Sequence, residues 1–321
     1  MRLHEDPKVF SELIAATAER MGLPQVYIEK DYWITKALWH LSSSPQIDNV
    51  VFKGGTSLSK AYRLIERFSE DIDLAIFSRD LSGGKIKGIL KAAETATATD
   101  LIYLKSDPRE SKGSLFRKTV YQYPRLIDEG EFGQASSELL IEVNAFTHPE
   151  PFNRISLQSF IAETLSELER EDLIESYSLE GFGVNVLSIE RTLVEKVLGV
   201  IKDSYGADPL AQLANRIRHL YDICLIMREE NIQSFVQTEE FATLCRNCLS
   251  DEKTGIFVDN PHLQAPLAEA PLFSEFSGWR NALQATYGGV FSDLVYGELP
   301  GMDEIEEAIR ALKDIFNKHG L

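Results

Sequence analysis

Apolar residues recur at helical spacing near the start of the chain. They are Phe10, Leu13, Ile14, Ala18 and Met21. This spacing predicts a helix over residues 7–22, and a similar pattern predicts a second helix over residues 27–42. Both are expected to be packing helices.

A β-branched run over Asn49–Lys53 ends in the paired glycines Gly54 and Gly55. The segment Thr56–Ile65 then changes to a period of about 3.6 residues, which is typical of a helix. The order predicts a strand, a tight turn and a helix.

The next segment, Asp71–Phe77, alternates between two kinds of side chain. Asp71, Asp73 and Ala75 share one face, and Ile72, Leu74 and Ile76 share the other. The alternation predicts a strand whose more polar face begins with two acids.

Further along, the pattern predicts a helix over residues 87–97 and strands near residues 101–106, 115–123 and 138–146. From Ile189 onward amphipathic helices dominate, and a loop is expected over Ser250–Pro266. The fold class is therefore α+β, with a mixed sheet in a domain over residues 1–188 and a mostly α-helical domain over residues 189–321.

The charge balance limits the kinds of partner. The 321 residues include 50 acidic and 33 basic side chains, a net charge of -17, which argues against a broad electrostatic grip on nucleic acid. The segment Ser111–Arg125 nevertheless mixes basic and aromatic residues, as single-strand binding surfaces do. A local basic groove and an ordinary solvated strand pair are both compatible with it, and the second is favoured.

Cysteine usage and the N-terminus indicate the compartment. Three cysteines are too few for a disulfide framework, and the Cys245–Cys248 pair has no second pair with which to hold zinc, so it is interpreted as helix-borne and apolar. Met1–Lys8 carries charges of both signs, and no apolar run could span a bilayer. A cytoplasmic protein without membrane association is expected.

Two carboxylates separated by one strand residue project from the same face, close enough to share a hard divalent cation. Asp71 and Asp73 have this spacing, and phosphoryl transfer uses such a pair to hold Mg²⁺. Glu142 interrupts the apolar run Leu139–Val143 and is the candidate third ligand. The alternative is a glutamate on an edge strand that faces water.

The Gly54-Gly55-Thr56-Ser57 segment is a candidate phosphate-binding turn. Two glycines allow close backbone approach, the following helix start offers N–H groups, and Thr56 and Ser57 add hydroxyl donors. The segment lacks the Gly-Lys-Ser/Thr ending of a Walker A loop, which disfavours an ATPase P-loop. The turn and the acid pair are each weak signals alone, and their order is what carries weight.

In that order, the segments Phe52–Lys60 and Phe68–Leu74 resemble the nucleotidyltransferase core of the AbiEii/AbiGii toxin family, in the DNA polymerase β-like superfamily. Glu29–Tyr32, Glu190–Lys196 and Arg218–Ile223 also resemble family motifs, in the expected order. The resemblance covers about residues 25–226 and implies a polymerase β-like core. The 15 residues between Gly55 and Asp71 are more than is usual in the superfamily.

The resemblance implies roles for individual residues. Asp71 and Asp73 would bind catalytic metal, Gly54, Gly55, Thr56 and Ser57 would bind the nucleotide phosphates, and Lys196 and Asp222 would complete the catalytic centre. Lys60, one helical turn beyond, could also contact the nucleotide. The plain alternatives are a solvated Lys196 or Lys60, an Arg218–Asp222 ion pair one helical turn apart, and a packing role for His219.

The resemblance also implies the activity. A toxin of this family would transfer a nucleoside monophosphate (NMP) from a nucleoside triphosphate (NTP) to an RNA acceptor, plausibly tRNA, with Mg²⁺ or Mn²⁺, in a type IV toxin–antitoxin or phage-defence system. A separate DNA-binding antitoxin would be its partner. The alternatives are transfer to a protein or small-molecule hydroxyl, which the acidic balance favours, and a catalytically silent NTP-binding regulatory module.

Overall fold

The computed structural model of the protein describes residues 1–69, 71–127, 138–254 and 260–321. These residues form two compact units. The sheet unit comprises Met1–Arg63 and Phe68–Leu187, and the helical unit comprises Leu64–Arg67 and Ser188–Leu321. The boundary between Leu187 and Ser188 lies next to the one predicted at residue 188. The assignment of Leu64–Arg67 to the helical unit has no counterpart in the sequence pattern.

The sheet unit contains one mixed sheet with eight strands among the described residues. Their bounds are β1 (Val50–Lys53), β2 (Ile72–Ile76), β3 (Ile102–Tyr103), β4 (Ser111–Lys112), β5 (Phe116–Gln122), β6 (Leu139–Asn144), β7 (Phe152–Leu157) and β8 (Phe182–Leu187). The strand order is β3-β5-β6-β2-β1-β8-β7, with β4 paired to β5. Strand β2 is antiparallel to β1 and parallel to β6, so the acid-bearing strand lies in the middle of the sheet.

Helices of the same unit pack against this sheet. Their bounds are α1 (Pro7–Met21), α2 (Gln25–Ser42), α3 (Gly54–Lys60), α4 (Gly83–Thr97), α5 (Phe160–Glu167) and α6 (Glu171–Tyr177). Helices α2 and α4 contact each other, and their apolar side chains share one core with Ile72, Leu74 and Ile76 of β2. The alternation in β2 therefore buries the isoleucine and leucine face and leaves Asp73 on the opposite face.

The helical unit is built from long amphipathic helices and from two short helices. Their bounds are α7 (Ile189–Ser204), α8 (Pro209–Asn215), α9 (Ile217–Arg228), α10 (Glu230–Phe235), α11 (Glu239–Thr254), α12 (Pro271–Tyr287) and α13 (Met302–His319). Helix α7 contacts α8, α9, α11 and α12 and forms the centre of the unit. No helix among the described residues is long and apolar enough to cross a membrane.

The structure confirms the predicted α+β class, with a mixed sheet followed by helices, and corrects several details. The helix expected over Thr56–Ile65 ends at Lys60. It could not continue through Arg63, which adopts a left-handed backbone conformation with φ of 55°. Strands β7 and β8 and helices α5 and α6 were not predicted. The expected loop Ser250–Pro266 begins within α11, which continues to Thr254, and part of that loop lies outside the described residues.

Candidate active site

The glycine turn and the acid pair meet at Gly54 and Asp73. Gly54 has a φ of 83°, a conformation that L side chains rarely adopt. A Cβ atom at this position would lie 3.1 Å from both Cβ and Cγ of Asp73, and closer still to its carboxylate oxygen. Glycine is therefore required here both by backbone conformation and by the approach of the Asp73 side chain.

The two hydroxyls of the turn donate hydrogen bonds to backbone carbonyls. Thr56 Oγ1 donates to the carbonyl oxygen of Asp71 at 2.5 Å and lies 3.0 Å from Ser69 Oγ. Ser57 Oγ donates to the carbonyl oxygen of Gly54 at 2.9 Å. Both side chains are buried. In this structure the hydroxyls expected to contact phosphates hold the turn and the acid segment together.

A row of four charged side chains crosses the sheet in register. In the strand register Lys53 lies opposite Asp73, Asp73 opposite Glu142, and Glu142 opposite Lys118. All four side chains therefore lie on one face of neighbouring strands. Burial raises the pKa of Glu142, Lys118 and Lys53 lower it, and Asp71 raises it. Strand β6 has neighbours on both sides, so the alternative of an edge-strand glutamate is wrong.

Carboxylate oxygens are the ligands that a hard divalent cation prefers. Within the described residues, however, no three acidic, histidine or cysteine side chains converge closely enough to hold a metal ion. The Glu142 carboxylate lies 3.8 Å from Lys118 Nζ. The acid pair fits the usual Mg²⁺ arrangement, in which one or two carboxylates share the ion with substrate phosphates and water.

Lys60 forms a buried ion pair with Asp31 of α2. Its ammonium also donates to the carbonyl of Gln158 at 3.3 Å, and the second oxygen of Asp31 accepts from the backbone N–H of Phe160 at 2.8 Å. Burial lowers the pKa of Lys60, and Asp31 acts in the opposite direction. The pair links α2, α3 and the start of α5, which favours a structural role and makes the solvated alternative wrong.

In the helical unit, Asp222 of α9 receives two cations. Arg67 donates from Nε to Oδ1 at 2.7 Å and from Nη2 to Oδ2 at 2.8 Å, and Lys196 Nζ donates to Oδ2 at 2.7 Å. Asp222 is fully buried, and the side chains of Arg67 and Lys196 are only 3% and 7% exposed. Burial opposes ionisation, but the two cations hold the pKa of Asp222 well below its usual range.

These contacts decide between the sequence-based alternatives for the helical residues. Lys196 is buried and paired, so it is not a solvated surface lysine. Within the described residues Asp222 forms no ion pair with Arg218. Burial and the charge of Lys196 keep the pKa of His219 well below 6.5, so its imidazole is neutral at pH 7. A neutral, half-buried imidazole agrees with the packing role expected for His219.

The segment Ser111–Arg125 does not form one continuous basic and aromatic surface. Arg117 and Tyr121 contact Glu94 of α4, and Tyr123 is buried against Trp33 of α2. Lys112 pairs with Glu110. The second half of the segment belongs to the core of the sheet unit, and β4 pairs with the first half of β5, as the favoured alternative of a strand pair expected. The alternative of a continuous basic groove is not supported.

A family model described as the nucleotidyl transferase AbiEii toxin of type IV toxin–antitoxin systems matches residues 36–315. The chain belongs to this family. As an AbiEii nucleotidyltransferase it uses an NTP, and as a toxin of a type IV system it has an antitoxin. The match includes α7 to α12, whereas the sequence motifs had placed the resemblance over residues 25–226. Glu29–Tyr32 lies before the matched region.

Two solved structures resemble the AbiEii chain. The nucleotidyltransferase toxin MenT4 of Mycobacterium tuberculosis is 16% identical, with a TM-score of 0.49, over 96% of this chain and 98% of MenT4. JHP933 of Helicobacter pylori is 15% identical, with a TM-score of 0.43, over 90% of this chain and 93% of JHP933. No curated protein matches the sequence significantly.

Sequence reasoning missed two residues of the AbiEii chain that contact predicted site residues. Arg67 contacts Asp222, and Asp31 contacts Lys60. Both residues lie in or next to segments that resemble family motifs. Arg67 immediately precedes the family-like segment Phe68–Leu74, and Asp31 lies within the family-like segment Glu29–Tyr32. Their partners are distant in sequence, so spacing alone could not pair them.

Proposed function

We propose that this AbiEii toxin transfers an NMP from an NTP to an RNA acceptor, and that the acceptor is tRNA. The observation that supports this reaction is the contact between the glycine turn and the acid pair at Gly54 and Asp73. A phosphate-binding turn and a metal-binding carboxylate must be adjacent for a triphosphate to reach both.

Asp71 and Asp73 are assigned to the metal, Mg²⁺ or Mn²⁺, with Glu142 as the proposed third ligand. Such an ion, when bound, neutralises the triphosphate and the leaving pyrophosphate. The charge of Asp71 raises the pKa of Glu142, which supports the assignment of both carboxylates to one site. The 3.8 Å distance between Glu142 and Lys118 makes Glu142 the least supported of the three.

The segment Gly54–Ser57 is assigned to the NTP phosphates. Because both hydroxyls donate to carbonyls, backbone N–H groups are the donors that we assign to the phosphates. Lys196 is the proposed cation for a phosphate group, and Asp222 orients it, as their 2.7 Å contact supports. Nucleotide binding by Lys60 remains a prediction that its pair with Asp31 disfavours.

The test is incubation of the protein with each labelled NTP, Mg²⁺ and total RNA. We expect label on tRNA, lost in Asp73→Asn and after chelation of the metal, and restored by Mg²⁺ or Mn²⁺. Asp48→Asn, which changes an exposed carboxylate of the same unit, is the matched control and should transfer normally. Label on protein or on a small molecule would show that this molecule, and not tRNA, is the acceptor. NTP binding without transfer would indicate a regulatory module.

The proposed antitoxin is a separate DNA-binding protein. Co-expression of the product of the adjacent gene should restore growth of cells that produce the toxin, and that product should bind DNA upstream of its own gene. Growth arrest that persists with this product present would remove it as the antitoxin.

A further inference from the structure

Arg67 lies in the short segment Leu64–Arg67, which belongs to the helical unit although it stands far from the rest of that unit in sequence. Backbone contacts hold the segment in place. Arg67 forms a β-bridge with Val295, and the carbonyl of Glu66 accepts from the backbone N–H of Tyr296 at 2.9 Å and of Gly297 at 3.2 Å. The backbone of Arg67 is therefore fixed within the helical unit.

The guanidinium of Arg67 contacts both oxygens of Asp222, one through Nε and one through Nη2. A planar fork of this kind fixes the plane of a carboxylate, which a single ammonium cannot do. Once that plane is fixed, Oδ2 lies 2.7 Å from Lys196 Nζ. The location of the Lys196 ammonium thus depends on Arg67 through Asp222.

We propose that Arg67 is a positioning residue for nucleotidyl transfer, which holds Asp222 in the orientation that places Lys196 for the NTP. This inference rests on the proposed function, in which Lys196 contacts a phosphate. Arg67 itself touches no substrate in this scheme. Its fork also neutralises Asp222, so the three side chains together carry one positive charge in excess, a charge suited to an anionic phosphate.

The experiment compares Arg67→Lys and Arg67→Met with the wild type, at a temperature well below the unfolding transition of each variant. Arg67→Met should raise the KM for NTP and lower kcat, with kcat/KM for NTP reduced about 10- to 100-fold, the size of loss seen when a group that orients a metal ligand is removed. The KM for the acceptor should not change. Arg67→Lys keeps the charge without the fork, and should recover only part of the loss.

Arg228 provides a matched control in the same unit. It also forks onto a carboxylate, with both Nη groups 3.0 Å from the oxygens of Glu298, but it is partly exposed. Arg228→Met should retain the wild-type KM for NTP. Arg228→Met therefore shows whether the loss of any arginine fork in the helical unit changes the KM for NTP.

A wild-type KM for NTP in Arg67→Met, with kcat reduced only in proportion to the folded fraction, would overturn the positioning role and leave a structural one. Failure of the proposed function looks different, because the wild type itself would then bind NTP without transferring it. In that case the NTP dissociation constants of the same variants decide the role of Arg67. An NTP dissociation constant that is the same in Arg67→Met as in the wild type would overturn the positioning role of Arg67.

Discussion

Thr56 Oγ1 donates a hydrogen bond to the backbone carbonyl of Asp71, at a distance of 2.5 Å. The bond joins the glycine turn to the residue that opens the acid pair, across an interval of 15 residues in the sequence. It joins the two ends of the long connection between the motifs, and it gives the hydroxyl of the turn a structural partner.

Thr56→Val tests this bond with little change in side-chain shape. The variant removes the donor and leaves a buried carbonyl without it, which should reduce the free energy of unfolding by about 1 to 3 kcal/mol and slow nucleotidyl transfer. Thr56→Ser should behave like the wild type. Denaturant unfolding and transfer rates provide the measurement, and Thr99→Val, in the exposed turn after α4, is the control. Equal behaviour of Thr56→Val and Thr56→Ser would contradict the assignment.

Gly54→Ala should impair both stability and transfer. A left-handed conformation costs a non-glycine residue about 1 to 2 kcal/mol, and the new methyl group would displace the Asp73 carboxylate. Gly84→Ala, at an ordinary helical position with open space around it, should instead stabilise the protein by about 0.5 to 1 kcal/mol. Thermal unfolding and labelled-NTP transfer distinguish the two. Wild-type transfer in Gly54→Ala would show that the Asp73 carboxylate can move without loss.

Lys60→Met tests whether the buried pair with Asp31 is structural. Removing one member of a buried ion pair leaves an uncompensated charge, so the free energy of unfolding should fall by about 3 to 5 kcal/mol. Adding Asp31→Leu should recover part of that loss. The KM for NTP, measured while the variant is folded, should stay near the wild-type value. A large rise in KM without loss of stability would instead support nucleotide binding by Lys60. Lys85→Met, at an exposed position of α4, is the control.

Asp222 should make the stability of the protein depend on pH. Its pKa is lowered in the folded state, so its ionised form stabilises the fold above the ordinary aspartate value near 3.8. That contribution is lost as the pH falls through the folded pKa. Asp222→Asn should therefore be less stable than the wild type at pH 7, by about 3 to 5 kcal/mol. The difference in the free energy of unfolding between Asp222→Asn and the wild type should become smaller below about pH 4.

The measurement for Asp222 is urea unfolding of both proteins between pH 3 and pH 7. The control is Asp314→Asn, at an exposed position of α13, which should leave the free energy of unfolding at pH 7 unchanged. A constant difference between Asp222→Asn and the wild type down to pH 3 would contradict the lowered pKa.

The local pattern of the sequence determined much of this protein. Alternation in Asp71–Phe77 predicts β2 and the face that carries Asp73, and the glycine pair predicts the turn before α3, because both depend on residues that are close in the chain. The order of the motifs predicts the family, which the match over residues 36–315 shows.

Only the tertiary structure decided which distant side chains meet. Strand order placed Glu142 beside Asp73, and folding buried Lys60 with Asp31 and Asp222 with Arg67. In sequence each of these charged residues resembles an ordinary surface group. Burial decides otherwise, because a charge removed from water must have a partner of opposite sign. That partner can come from any part of the chain, and so no local pattern can identify it.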